Sequence, residues 1–150
     1  MGGITMNKDL SFYKGKRVLI TGHTGFKGSW LTRILENAGA EVIGYSLEPE
    51  TTPALFNLAH VETGMLHSEI GDVRDLEKLL WLFKCYKPEI VFHLAAQPIV
   101  RTSYEKPVET FDINVMGTVN VLEAVRRTGT AKSVLNVTTD KVYKNKEWYW

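Results

Sequence analysis

Short apolar runs alternate along this chain with stretches in which apolar residues recur every three or four positions. The first run, Arg17–Thr21, reads as a strand. Leu31, Ile34, Leu35 and Ala38 then follow at helical spacing, and Gly39 supplies a stop. Glu41–Ser46 predicts a second strand, followed by a loop holding Pro49 and Pro53 and a short helix around Ala54–Ala59. Leu66–Gly71 reads as a third strand. Leu76, Leu79, Leu80 and Phe83 form one face of a helix that Asp75 is placed to cap and Pro88 closes. Ile90–Ala95 is apolar along most of its length, as a strand covered on both faces should be. A longer helix is expected over Val108–Thr128, lined on one side by Phe111, Val115, Val119 and Leu122 and stopped by Gly129. Gly117 in its middle costs about 1 kcal/mol relative to alanine, which points to close packing there. Ser133–Thr138 completes the series. Five strands joined by crossover helices predict an α/β fold with a doubly wound parallel sheet in the order 3-2-1-4-5.

The turn after the first strand carries chemistry. Gly22-His-Thr-Gly25-Phe-Lys-Gly28 places three glycines at intervals of three between a strand and a helix. Such spacing brings bare backbone against a dinucleotide pyrophosphate. Gly22 permits the tight turn, Gly25 removes a side chain where phosphate oxygens approach, and Gly28 lets the helix lie close. The unpaired N–H groups at the helix start then face the diphosphate. Thr24, Phe26 and Lys27 share this loop as candidate phosphate contacts, with Lys27 equally suited to solvent. His23 is read as loop-shaping or close to substrate.

Composition narrows the picture. Of 150 residues, 44% are hydrophobic and 11% aromatic, enough for one core, and residues 11–150 read as one domain behind a tail of residues 1–10. The net charge of +1 gives no long-range field for nucleic acid or an anionic membrane. No run approaches the roughly 20 apolar residues of a membrane span, and no signal peptide is evident. The single cysteine, Cys85, allows no internal disulfide or cysteine metal cluster, no metal is expected, and it is predicted to be a buried small hydrophobe. The chain reads as a soluble protein of a reducing cytoplasm. Residues 142–150 hold Tyr143, Trp148, Tyr149 and Trp150 directly after a buried strand. That aromatic density predicts a fold truncated after its fifth strand.

The glycine turn, Asp72, His93-Leu-Ala-Ala96, the segment Asn114–Glu123 and Val137-Thr-Thr-Asp140 together resemble the extended short-chain dehydrogenase/reductase family across nearly the whole chain. The turn, the segment Pro88–Pro98, and Thr139-Asp-Lys141 with Asn145–Trp148 narrow the likeness to its nucleotide-sugar 4,6-dehydratase branch. Lys141 is the discriminating detail, because related dTDP-glucose dehydratases carry glutamate there. The resemblance implies an NAD(P)-binding Rossmann domain, a nucleotide-sugar substrate with CDP-glucose favoured, and a homodimer. The long helix resembles the one such proteins use to pair, although its apolar face could equally belong to the core. Another nucleotide-sugar epimerase or dehydratase, or a non-catalytic binding module, are the alternatives.

By this resemblance Asp72 and the backbone at Val73 hold the adenine. Leu94, Ala95, Ala96 and Gln97, at the end of the fourth strand, let the nicotinamide ribose approach. Arg101, Ser103 and Tyr104 follow on a loop beside the sugar site, with Arg101 suited to a substrate phosphate or a surface acid. Asn114 holds backbone or water near the active site. The tip of the second strand departs from the usual pattern: Ser46 stands where an acidic residue commonly binds the ribose hydroxyls. Ser46 could bond a 2′-hydroxyl without repelling a 2′-phosphate, and NAD is favoured over NADP by resemblance.

Thr138, Thr139, Asp140 and Lys141 close the fifth strand, with Thr138 facing the cofactor. The implied reaction oxidises C4 of the sugar, eliminates water across C5 and C6, and returns the hydride to C6. Thr139 would hold the C4 oxygen, with Asp140 as acid and Lys141 as base, a pair whose roles could be reversed. The Tyr-x-x-x-Lys pair that the resemblance also implies does not occur within these residues, so a chain ending at 150 is expected to be inactive alone.

Overall fold

The computed structural model describes residues 9–139. Its sheet holds β1 (Arg17–Thr21), β2 (Glu41–Ser46), β3 (His67–Ile70), β4 (Ile90–His93) and β5 (Ser133–Asn136), in the order β3-β2-β1-β4-β5. Every neighbouring pair is parallel, with Val18 opposite Val42 on one side and Ile90 on the other. The expected order is therefore the observed one. The first two strands have the expected limits, while β4 and β5 end two residues early, at His93 and Asn136.

Helices α1 (Phe26–Asn37), α2 (Leu55–Leu58), α3 (Leu76–Tyr86), α4 (Val100–Glu105), α5 (Pro107–Phe111) and α6 (Gly117–Thr128) flank the sheet. Asp75 caps α3 as its position predicts, accepting from Lys78 N at 2.9 Å. Because side chains alternate along a strand, the sheet carries two cores. Leu19, Ile43, Tyr45 and Val91 pack with Leu79, Leu80 and Phe83 of α3 and Val121 and Ala124 of α6. Val18, Ile20, Val42 and Ile90 pack on the other face with Leu35 of α1.

Two expectations are corrected, and the open choice for the apolar face of the long helix is decided. The long helix is not uniform: a π-helical segment, Asp112–Met116, joins α5 to α6. The stripe Phe111, Val115, Val119 and Leu122 is exposed, and the face turned inward is Gly117, Val121 and Ala124. Gly117 nevertheless admits close packing, since a Cβ there would lie 2.6 Å from Val73 Cγ2. Cys85 is exposed. It lies two residues beyond buried Phe83, about 200° around the helix, and so faces away from the sheet.

Candidate functional site

β1 ends at Thr21 and the chain turns at Gly22, whose φ of +76° suits glycine. A Cβ at Gly22 would sit 2.9 Å from Ala95 N and 3.0 Å from Leu94 C, so the turn rests on the end of β4. Gly28 is equally constrained. A Cβ there would come 2.1 Å from Gly22 O, so only glycine lets the first turn of α1 fold back on the loop. Gly25 is the N-cap of α1, and a Cβ on it would meet only Gly22 O, at 3.4 Å, leaving its other side open. The N–H groups of Phe26 and Lys27 have no carbonyl a turn earlier, and both residues are exposed. A cradle without side chains at a helix N-terminus fits the diphosphate of a dinucleotide.

Side chains behind the cradle fasten it to the sheet. Thr24 is buried, and its hydroxyl donates to Leu47 O at 2.8 Å. With that proton committed, the 2.9 Å contact between the two hydroxyls makes Ser46 the donor to Thr24. Ser46 Oγ therefore keeps only acceptor capacity. His23 is fully buried across β2 and β3, with Nε2 2.8 Å from Ser68 Oγ and its ring edge-on to Phe56. Burial pushes its pKa down to about 4. Gly44 makes room for that ring, since a Cβ would lie 2.4 Å from it. A glycine inside an apolar strand was the available sequence signal for this contact.

The loop after β3 carries Asp72 and Val73. Tyr45 donates its buried hydroxyl to Asp72 O at 2.7 Å, and Asn120 Nδ2 donates to Val73 O and Arg74 O. The Asp72 carboxylate accepts from Arg74 Nε at 3.0 Å and from Arg74 Nη2 at 2.6 Å. These bonds hold its pKa below the usual carboxylate range. Sequence reasoning did not single out Arg74 or Asn120.

At the end of β4 the protons can be assigned from the network. Thr118 donates to Asn114 O at 2.7 Å, so His93 Nε2, 3.0 Å away, donates to Thr118. Neutral His93 then accepts at Nδ1 from Thr21, at 2.6 Å. Burial lowers the His93 pKa and favours this neutral form. Thr21 Oγ1 in turn accepts from Leu94 N and Ala95 N, at 3.2 Å each. Asn114, in the π-helical segment, clamps the next residues: Oδ1 accepts from Gln97 N at 2.8 Å and Nδ2 donates to Gln97 O at 3.1 Å. The Gln97 side chain spans Thr110 and Ile99 N. Ala96 is exposed at this edge.

Arg101, Ser103 and Tyr104 lie on α4, not on the expected loop. Arg101 pairs with Glu105 one turn on, Ser103 Oγ donates to Val100 O, and Tyr104 is exposed. Thr138 and Thr139 follow β5 and are exposed, while Asp140 and Lys141 lie outside the described residues. The structure thus brings the glycine turn, Leu94, Ala95, Gln97 and Asn114 together at the carboxyl edge of the sheet. That is where open parallel sheets bind ligands.

Fold and site define a dinucleotide-binding domain of the Rossmann type. Residues 19–147 match the GDP-mannose 4,6 dehydratase family, and the chain belongs to that family, among the extended short-chain dehydrogenases/reductases. It is 54% identical over 142 residues to CDP-glucose 4,6-dehydratase of Salmonella typhimurium, covering 95% of this chain and 39% of that protein. It is 35% identical over 123 residues to GDP-mannose 4,6-dehydratase of Vibrio cholerae, covering 79% of this chain and 33% of that one. Among solved structures, UDP-glucose 4-epimerase of Thermus thermophilus in complex with NAD is similar with a TM-score of 0.69 and 31% identity, over 88% of this chain and 43% of that one. The chain spans between a third and two fifths of the length of these two dehydratases.

Proposed function

We propose that this chain is the cofactor-binding part of a CDP-glucose 4,6-dehydratase, producing CDP-4-keto-6-deoxyglucose with NAD. The observation that carries this reading is the 54% identity to the Salmonella enzyme across 95% of the chain. The cradle of Gly22, Gly25 and Gly28 supports a bound dinucleotide. Ser46 favours NAD over NADP on chemical grounds: its proton is given to Thr24, so it can accept from a ribose hydroxyl but has none to offer a 2′-phosphate.

NAD bound there supplies a reversible hydride acceptor for C4 and a hydride donor for C6 of the sugar. Asp72 and Val73 meet the adenine. Thr138 borders the cofactor, and Leu94, Ala95, Ala96 and Gln97 border its nicotinamide ribose, with Leu94 and Ala95 held by Thr21 and Gln97 by Asn114. Thr139 binds the C4 oxygen, Asp140 gives a proton to the departing C6 hydroxyl, and Lys141 removes the C5 proton. A lysine near pKa ~10.4 must be lowered by about 3 units, or about 4 kcal/mol, to act as a base at neutral pH. Arg101, Ser103 and Tyr104 are assigned to the nucleotide sugar. No helix among the described residues is long and apolar enough to cross a membrane. The cytoplasm is the proposed location. The exposed stripe Phe111, Val115, Val119 and Leu122 supports a homodimer paired through the long helix.

The test is incubation of the whole protein containing this chain with CDP-, dTDP-, UDP- and GDP-glucose and NAD, followed by NMR. A 4-keto-6-deoxy product from CDP-glucose, lost in Lys141→Met, is expected. Dinucleotide binding without turnover of any sugar would instead favour a binding module.

A further inference from the structure

Asp72 is held from more sides than a loop carboxylate needs. Arg74 N–H donates to Oδ1 at 2.9 Å, the guanidinium spans both oxygens, and its Nη1 reaches Asp112 Oδ2 in the π-helical segment at 3.4 Å. The backbone beneath is tied by Tyr45 from β2 and Asn120 from α6. A two-pronged guanidinium fixes the plane of a carboxylate as well as its charge. The result is an ionised, oriented group that can only accept hydrogen bonds.

We propose that Arg74 is a positioning residue that presents Asp72 as a fixed acceptor, and so sets the preference of this site for adenine over a 6-oxopurine. The inference rests on the reading that Asp72 meets the adenine of the cofactor. Adenine offers an amine at C6, which donates to such an acceptor. Hypoxanthine offers a carbonyl oxygen there, which an oriented carboxylate repels. If Arg74 were removed, Asp72 could rotate or take up a proton and donate, and either change erodes the discrimination. Lysine keeps the charge but not the two-pronged geometry, so Arg74→Lys should fall between wild type and Arg74→Ala.

The experiment measures binding of NAD and of nicotinamide hypoxanthine dinucleotide to the whole protein and to its Arg74→Ala, Arg74→Lys and Asp72→Asn variants by calorimetry. Wild type is expected to favour NAD by about tenfold or more, the worth of a hydrogen bond to a charged group. Arg74→Ala and Asp72→Asn should reduce that ratio to about threefold or less, with most of the change in NAD binding. Equal weakening of both dinucleotides by Arg74→Ala would reduce Arg74 to a loop staple and overturn the proposal. Equal wild-type affinity for the two would overturn it as well, by removing the Asp72–adenine contact. Binding of neither by wild type would instead defeat the dinucleotide reading itself. Should Arg74→Ala fail to fold, the ratio for Arg74→Lys decides: an unchanged ratio overturns the proposal.

Discussion

The Thr21 hydroxyl donates to His93 Nδ1 at 2.6 Å, joining the ends of two adjacent strands through a neutral imidazole. His93 passes the linkage to Thr118 and thence to Asn114, whose side chain clamps Gln97. Removing the Thr118 hydroxyl leaves the His93 Nε2–H without its acceptor in a partly buried place. Thr118→Val is expected to cost about 1–3 kcal/mol, and Thr118→Ser much less. Urea unfolding at pH 7 measures both.

His23 makes stability depend on pH. The unfolded imidazole titrates near 6.5, whereas burial holds the folded one down to about 4. Between those values the unfolded state binds more protons. Stability is therefore full above pH 6.5 and falls as the pH drops toward 4, by about 3 kcal/mol for this group. His93, also lowered by burial, acts in the same direction. Urea midpoints at pH 7 and pH 4.5 should differ more in wild type than in His23→Gln.

Gly28→Ala tests the cradle. The added methyl meets backbone, Gly22 O at 2.1 Å and His23 Cα at 2.7 Å, so the helix start must move. Overpacking of this kind costs about 1–3 kcal/mol. Thermal melting should show that loss, and calorimetry should show NAD affinity reduced by more than about tenfold.

Gly117→Ala sets two effects against each other. Alanine gains about 1 kcal/mol in helix propensity, but its methyl would lie 2.6 Å from Val73 Cγ2. The single variant is expected to be destabilised. Pairing it with Val73→Ala should recover part of the loss, giving a coupling of about 0.5–3 kcal/mol in a double-mutant cycle.

The helix stripe has its own consequence. Val108 is 83% and Phe111 68% exposed, and Val115, Val119 and Leu122 further along are exposed as well. Replacing Phe111 and Val115 by glutamate should convert the homodimer proposed for the whole protein to monomer in light scattering, without unfolding it. A dimer that survives the double replacement would place the pairing surface elsewhere.

Where a segment's environment follows from its own residues, the sequence was sufficient. β1 and β2 could be placed from apolar runs bounded by glycine turns, and the capping of α3 from Asp75. Gly22, Gly25 and Gly28 announced the cradle by their spacing, and at Gly22 and Gly28 backbone geometry excludes other residues locally. The long helix shows where such reading stops. It carries two apolar stripes, Phe111 to Leu122 and Gly117 to Ala124, and periodicity alone does not say which one meets the sheet. The π-helical segment adds a residue to one turn and so rotates the faces on either side out of register.

The candidate site divides in the same way. Loop position and resemblance pointed to Asp72, Asn114 and Gln97, but their partners came only with the fold. Arg74 reaches Asp112 across 38 positions, Thr21 reaches His93 across 72, and His23 reaches Ser68 across 45. The sequence by itself determined the strands and the bare turn, because hydrophobic period and glycine sterics act within a few residues, and the rules for crossover connections then gave the parallel sheet and its order. The tertiary structure alone decided which helix face is buried and how the polar groups at the sheet edge share their protons, because those depend on atoms that only strand pairing and the packing of α6 on the sheet bring within 3 Å of one another.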